Sequence, residues 1–309
     1  MKKIFMAIAS VVLACGIGVA AVGCGASDTI NVYNRDSASG TRAAFIELLG
    51  IEETELYSNG ADQNSTGAVL TTVAGDEKGI GYISLGSLDE TVKAVSIDGV
   101  EPTVQNIVDE KYTVWRPFEL MYQEEKVAES DLATDFLKFL GSAQAQEVIE
   151  DYGYVSTVTD APEYTAPETD FQDTTIDVGG STSVQPLIGT DDGDAVCLIT
   201  KYKELLGDKA EGIQINVSGN GSGQGITNAG NGTWEIGLAS KEVNAETDFT
   251  NPTGTMKVVQ LCADGIAVIV NTANTVTNLT TEMLKNIYTG AVKSWSEVPG
   301  WTAPDAEQQ

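Results

Sequence analysis

The sequence contains no histidine, and lysine and arginine together account for only 17 of its 309 residues. Without histidine, neither a Ser-His-Asp triad nor a Cys-His pair can form, and the usual zinc ligand sets are excluded. No G-x-x-x-x-G-K-[ST] segment occurs, and no serine is followed three residues later by lysine, so P-loop and Ser-x-x-Lys chemistry have no support. The sequence therefore predicts a protein that is not an enzyme and that holds no cofactor and no metal.

Acidic residues outnumber basic ones, 45 to 17, which gives a formal net charge of −28 at pH 7. A chain with this charge repels nucleic acid and anionic surfaces, so we expect no nucleic-acid partner. Any anion that it binds must be held by local hydrogen-bond geometry. Only three arginines occur, and two of them, Arg35 and Arg42, flank the same Ser-Gly-Thr motif. A pair of solvated surface arginines is the alternative interpretation of this motif.

The first 24 residues have the pattern of an export signal. Two lysines precede an apolar segment over residues 4–22, and Gly-Cys-Gly follows it. The second cysteine, Cys24, follows a small residue as in a lipoprotein box and would become the lipidated first residue, whereas Cys15 would leave a shorter apolar segment. The sequence therefore predicts an extracytoplasmic protein, lipid-anchored to the outer face of the cell membrane. A plain secretory signal or an uncleaved anchor is the alternative.

Beyond this signal, short strands alternate with helical segments, which is typical of an α/β architecture with mostly parallel sheets. Residues 156–175 are rich in threonine, proline and acidic residues and have no apolar periodicity, so we interpret them as a linker. In sheets of this kind, ligands bind beyond the carboxyl ends of the strands.

Three short segments rich in serine, threonine and glycine stand where helices should begin. They cover residues 35–42, 179–183 and 219–225. Backbone N–H groups at a helix start are unpaired and lie at the positive end of the helix dipole, so each segment can bind an oxyanion. Three of them together predict one anion held from several sides. Each segment alone also fits an ordinary helix cap or a flexible turn.

Several of these segments resemble the phosphate-binding protein of bacterial high-affinity phosphate ABC transporters. Residues 176–187, 219–225 and 236–241 resemble the N-terminal half of that family, and residues 263–271 continue it. Residues 35–42, together with Ile-Gly-Tyr at 80–82 and Arg-Pro-Phe at 116–118, resemble its C-terminal half. The resemblance covers nearly everything after residue 28 except the linker.

The two halves stand in the reverse of the family order, so the chain resembles a circularly permuted member. A misjoining of two proteins or reading frames is the alternative. The resemblance implies an α/β, two-lobe, periplasmic-binding-protein-like (type II) fold that is circularly permuted. One lobe would combine residues 28–112 with 272–309. The other would span 113–271, including the linker at 156–175, with hinge crossings near residues 112 and 270.

The same resemblance implies which residues bind the anion, matched position by position. These are Arg35, Ser39, Gly40, Thr41, Thr182, Ser183 and Ser222. A phosphate-selective site also needs an acceptor for the proton that phosphate carries and sulfate lacks. Some family members have an aspartate after the Ala-Ser pair, but Lys241 stands there in this chain. We expect Asp264 to replace it, with a helix-capping role as the alternative.

The function implied by the resemblance is capture of inorganic phosphate outside the cell for import by an ABC transporter. The expected partners are phosphate, membrane permease subunits and the membrane reached through the lipid anchor, and we expect a monomer. One alternative is a surface lipoprotein that senses phosphate or another oxyanion without transport, and sulfate is the alternative ligand. A phosphohydrolase is disfavoured, because the sequence has no histidine and no recognisable nucleophile and base.

Overall fold

The computed structural model of the protein describes residues 28–190 and 195–303. The predicted signal segment, with Cys15 and Cys24, lies outside these ranges. Among the described residues, no helix combines the length and the apolar character needed to span a bilayer.

Strands and helices alternate along most of the described chain. The strands are Asn31–Val32 (β1), Gly79–Ser84 (β2), Val92–Ala94 (β3), Ser96–Ile97 (β4), Trp115–Gln123 (β5), Thr175–Gly180 (β6), Gln214–Gly219 (β7), Ile236–Ala239 (β8), Met256–Asn271 (β9) and Asn278–Leu279 (β10). The α-helices are Gly40–Leu48 (α1), Thr66–Ala74 (α2), Val104–Val108 (α3), Glu124–Ala128 (α4), Asp131–Leu140 (α5), Ala143–Asp151 (α6), Gln185–Gly189 (α7), Leu198–Leu206 (α8), Ser222–Gly230 (α9) and Thr281–Tyr288 (α10). Short 3₁₀ helices cover Glu53–Glu55, Leu85–Ser87, Gly207–Ala210 and Trp295–Glu297.

Serine and threonine side chains start many of these helices. Each accepts a hydrogen bond from a backbone N–H of the first turn, which satisfies a donor that the helix itself leaves unpaired. The residues that do so are Ser39, Ser65, Thr103, Ser130, Ser142 and Thr280.

The main sheet has the strand order β1-β2-β9-β5-β8-β6-β7, and β3 also pairs with β9. Pairing is parallel at its two ends, between β1 and β2 and between β6 and its neighbours β7 and β8. It is antiparallel around β9 and β5. The sheet is therefore mixed, whereas the alternation of elements predicted mostly parallel strands. The difference arises at the centre of the sheet, where β5 and β9 pair antiparallel with each other and each also pairs antiparallel with its outer neighbour, β8 or β2.

Two large hydrophobic cores, with two smaller clusters beside them, show that the described part of the chain forms two lobes. One core contains Phe45, Tyr82 and Trp295, and the other contains Phe118, Phe136 and other buried residues of the middle of the chain. A two-lobe α/β fold is thus confirmed.

Strands β5 and β9 connect the lobes. Val114 packs in the first core and Phe118 in the second, while Cys262 packs in the second and Ile266 in the first. The chain therefore crosses between the lobes near residues 115–117 and 263–265. The predicted division at residue 271 differs from this distribution, because the apolar residues 266–270 belong to the cores of the first lobe.

The linker has neither helix nor strand over residues 156–174, yet it is fastened to the second lobe. Tyr164 is buried, and its hydroxyl donates to Asp135 Oδ2 at 2.5 Å. Tyr202 donates to the same oxygen at 2.9 Å. Phe171 packs against the second core as well. The segment is therefore an ordered strap on one lobe, although its composition resembles that of a flexible linker.

Candidate functional site

Four chain segments that begin helices meet where the two lobes face each other. Ser39 caps α1, and Thr66 is the first residue of α2, both in the first lobe. The turn at residues 181–184 leads into α7, and Ser222 is the first residue of α9, both in the second lobe. Each segment presents hydroxyl groups and backbone N–H groups of a first turn, so the meeting point concentrates hydrogen-bond donors and positive helix ends.

Arg35 is the cation of this meeting point, and only 1% of its surface is exposed. Its Nη2 donates to Thr182 Oγ1 at 2.9 Å across the lobe interface. Its Nη1 donates to Thr66 Oγ1 at 3.4 Å, and its Nε donates to the Gln63 carbonyl at 3.2 Å. Burial lowers the pKa of Arg35 from its ordinary value, but a guanidinium remains charged in proteins. The side chain is therefore a buried, rigidly held positive charge.

Hydroxyl groups from both lobes form one buried network beside Arg35. Ser183 Oγ lies 3.0 Å from Thr41 Oγ1 and 3.1 Å from Thr66 Oγ1, which joins the lobes directly. Ser181 Oγ donates to Ser240 Oγ at 2.9 Å. The network is completed by Ser222, whose hydroxyl accepts from the backbone N–H of residue 240 at 3.1 Å. We call these residues with Arg35 and Thr182 the hydroxyl cluster.

The backbones of the two lobes approach each other closely at this cluster. A Cβ on Gly40 would lie 2.3 Å from Ser222 Oγ and 2.9 Å from Ser240 Oγ, well inside van der Waals contact. The Gly223 N–H donates to the Ala38 carbonyl at 3.1 Å, which is a backbone hydrogen bond between lobes. Glycine is needed at residue 40, because any side chain there would hold the lobes apart.

The structure brings seven of the eight predicted site residues together. Arg35, Thr41, Thr182, Ser183 and Ser222 belong to the hydroxyl cluster. Gly40 approaches Ser222, and the Ser39 hydroxyl accepts from the Arg42 N–H at 3.3 Å as the cap of α1.

Three members of the cluster were missed by sequence reasoning: Thr66, Ser181 and Ser240. Ser181 and Ser240 stand inside segments that were recognised, the Gly-Ser-Thr-Ser run and the Ala-Ser-Lys run. Thr66 follows its cap Ser65 at the start of α2, which is the same signal that identified the other segments.

Asp264 makes no hydrogen bond to the cluster; it lies on β9 where the chain crosses between the lobes, and it is 1% exposed. Its Oδ1 accepts a hydrogen bond from the Leu85 N–H at 3.2 Å, at the start of the short helix Leu85–Ser87. This is the kind of contact that the alternative, helix-capping role requires. Its Oδ2 lies 3.0 Å from Arg116 Nη2. Burial raises the pKa of Asp264 to about 6, against the opposing effect of the Arg116 charge.

The chemistry of the cluster is that of an oxyanion binder. Its described members supply hydroxyl and N–H donors and one guanidinium, and none of them is a carboxylate. Within residues 28–190 and 195–303, no group of histidine, cysteine and acidic side chains could hold a metal ion. Donors from both lobes can enclose an anion only when the lobes are closed, so binding must favour closure.

Comparison with known proteins also shows similarity to oxyanion-binding proteins. The PBP superfamily domain matches residues 19–144 and 165–308. A phosphate-binding protein PstS 2 from Streptococcus agalactiae is 35% identical over 297 residues, covering 92% of this chain and 94% of the relative. A phosphate-binding protein PstS 2 from Streptococcus pneumoniae is 34% identical over 293 residues, covering 93% of each chain. A crystal structure of the phosphate-binding protein of a phosphate ABC transporter from S. pneumoniae matches with a TM-score of 0.62 and 32% identity, covering 87% of this chain and 99% of that one.

The order of segments is also shared with these relatives. An alignment that runs through 92% of this chain and 94% of the relative keeps the segments of both in one order. This argues against a misjoining of unrelated reading frames. Circular permutation relative to other members of the resembled family stays a prediction.

Proposed function

Since this chain belongs to the PBP superfamily, and within it to the phosphate-binding proteins of ABC transporters, we propose that it captures inorganic phosphate outside the cell for import. The observation that carries the proposal is Arg35, buried at the lobe interface and bonded across it to Thr182 at 2.9 Å. A guanidinium and several hydroxyl donors are the groups that a tetrahedral oxyanion requires.

We propose that Asp264 supplies the acceptor that distinguishes phosphate from sulfate. Its Oδ2 is buried beside Arg116 and accepts no hydrogen bond from the described residues, so it can accept one from the protonated oxygen of phosphate. Sulfate near neutral pH has no such proton and would place an anionic oxygen against Oδ2 with no hydrogen bond between them, which is costly in a buried site. Lys241, which replaces the aspartate of some relatives, lies 3.2 Å from Asp248 and is occupied there.

Titration calorimetry of the chain without its signal segment, with phosphate and with sulfate, tests both proposals. We expect phosphate to bind and sulfate to bind about 100-fold more weakly, since a buried acceptor left without its hydrogen bond costs about 3 kcal/mol. Asp264→Asn should weaken phosphate binding about 10-fold or more while leaving sulfate binding less affected. Asp248→Asn is the matched control, with the same loss of charge outside the cluster, and should change neither. Equal affinity for sulfate and phosphate in the parent protein would overturn the phosphate assignment.

We propose further that the mature protein is a monomer, lipid-anchored through Cys24, that delivers phosphate to membrane permease subunits. Its family consists of extracytoplasmic binding components, which supports a position outside the cytoplasm. Cys24→Ala should release the protein from the membrane fraction into the medium, and metabolic labelling with a fatty acid should be lost. Cys15→Ala is the control and should leave both unchanged. Labelling that survives in Cys24→Ala would assign the anchor elsewhere.

We also propose that the protein has no catalytic role. The hydroxyl cluster offers no general base among its described members, since it contains neither histidine nor a carboxylate.

A further inference from the structure

A second arginine is buried near the hydroxyl cluster and has no part in the binding site considered so far. Arg116 stands on β5 where this strand crosses between the lobes, directly opposite Asp264 on β9. Only 1% of its side chain is exposed. Its guanidinium carbon lies 5.3 Å from the centre of the Phe118 ring, so one face is covered by an aromatic side chain.

The hydrogen-bonding groups of Arg116 are unused. Its Nε, Nη1 and Nη2 make no hydrogen bond to any described residue, and neither does Asp264 Oδ2. The ion pair of Nη2 with Oδ2 is 3.0 Å long but lacks the alignment of a hydrogen bond. Arg35, by contrast, uses all three guanidinium nitrogens as donors. A buried guanidinium without hydrogen bonds is strongly unfavourable, so the N–H donors of Arg116 are suited to bind another hydrogen-bond acceptor.

Two buried tyrosines link Arg116 to the hydroxyl cluster. The hydroxyl of Tyr82 accepts from the Arg35 N–H at 3.3 Å, and that of Tyr154 lies 3.5 Å from the Ser183 carbonyl. Both tyrosines lie within electrostatic range of Arg116. The pKa of Arg35 is lowered chiefly by burial, and the nearby positive charge of Arg116 contributes to the same direction. The positive charges of Arg35 and Arg116 are therefore close enough to interact, and both contribute to the electrostatic potential around the hydroxyl cluster.

We propose that Arg116 is a second cationic binding residue of the phosphate site, held in place by Asp264 and Phe118. The proposal rests on the phosphate-binding function proposed above. A phosphate group carries more than one negative charge near neutral pH, and Arg35 alone compensates only one. Arg116 adds a second positive charge and further hydrogen-bond donors. Asp264 holds the guanidinium in place, and its negative charge compensates that of Arg116 when no phosphate is bound.

The test compares phosphate binding of Arg116→Gln, Arg116→Lys and the parent by calorimetry at fixed ionic strength, together with thermal unfolding of each. We expect Arg116→Gln to weaken phosphate binding about 30-fold, the effect of losing a charge-assisted hydrogen bond. Arg116→Lys keeps the charge and should recover part of that loss. Lys257→Gln is the matched control, since Lys257 pairs with Glu124 at the surface, and it should bind within threefold of the parent.

A folded Arg116→Gln that binds phosphate within threefold of the parent would overturn the proposal. If the single variant fails to fold, Arg116→Gln is placed in the Asp264→Asn background, where no buried charge is left unpaired. This double variant should bind about 30-fold more weakly than Asp264→Asn alone, and equal binding would also overturn the proposal. A parent protein that binds no phosphate would instead refute the proposed function, so the two failures are distinguishable.

Discussion

Arg35→Gln is expected to reduce phosphate affinity about 1,000-fold, since two charge-assisted hydrogen bonds contribute roughly 1.5–3 kcal/mol each. Arg35 is 1% exposed and already donates across the lobe interface to Thr182. Glutamine keeps a polar side chain but loses both the charge and the planar fork of donors. The measurement is the dissociation constant from calorimetry, or from equilibrium dialysis with radiolabelled phosphate where the affinity of the variant is too weak for calorimetry.

The neighbouring arginine provides the control for this variant. Arg42 flanks the same motif, but its guanidinium pairs with the exposed carboxylates of Glu53 and Asp62, and its Nη1 donates to the Arg35 carbonyl at 2.8 Å. Arg42→Gln should therefore weaken phosphate binding by less than about tenfold, since it loses two weak ion pairs and one hydrogen bond to the Arg35 backbone. Arg35→Lys should fall between the parent and Arg35→Gln, because lysine restores the charge without the fork. An Arg35→Gln protein that binds within tenfold of the parent would place the anion elsewhere.

Gly40→Ala is expected to weaken phosphate binding about 100-fold by preventing closure of the lobes, since overpacking of this kind costs up to about 3 kcal/mol. The added Cβ would lie 2.3 Å from Ser222 Oγ and 2.9 Å from Ser240 Oγ, and both serines belong to the opposite lobe. The open state does not contain this clash, so thermal stability without phosphate should not fall in proportion. Calorimetry gives the affinity, and small-angle X-ray scattering with saturating phosphate shows whether the lobes close.

A second glycine at a helix start is the matched control. Gly67 is the second residue of α2, and a Cβ there would meet no atom within 4 Å. Gly67→Ala should leave phosphate affinity unchanged and stabilise the helix by up to about 1 kcal/mol. If Gly40→Ala closed on phosphate as readily as Gly67→Ala, the lobe contact at Ser222 would not limit binding.

Much of the fold follows from local sequence signals. Serine or threonine caps mark the starts of α1, α2, α5, α6 and α10. The apolar pattern of the sequence predicts helices over residues 41–49, 66–75, 130–140, 143–152 and 280–288, which agree with these five to within one or two residues. The anion-binding segments were also recognisable, because a strand followed by small hydroxyl residues and a helix is a local pattern. Such patterns can be recognised from residues that are neighbours in the sequence.

The remaining features depend on contacts between distant residues. Residues 258–261 and 266–270 read as two strands, but one continuous strand forms because β5 pairs along its first part and β2 along its second. Asp264 sits in the middle of that strand, and its pairing with Arg116 arises from strand register. Ser240 joins the cluster because β8 pairs with β6 and brings it to Ser181 and Ser222 of the same lobe. A single sequence carries no signal for such pairings.

The continuity of β9 through both cores also sets the order in which the two lobes can be completed along the chain. The second lobe uses one uninterrupted stretch, from about residue 116 to residue 263, so all of its loops are closed within that stretch. The first lobe needs Val268 and Trp295 to fill a core begun by Val32 and Phe45, more than 200 residues earlier. Because the chain emerges N-terminus first, the serine and threonine residues that the second lobe contributes to the hydroxyl cluster can be in place before the core behind Arg35 is complete.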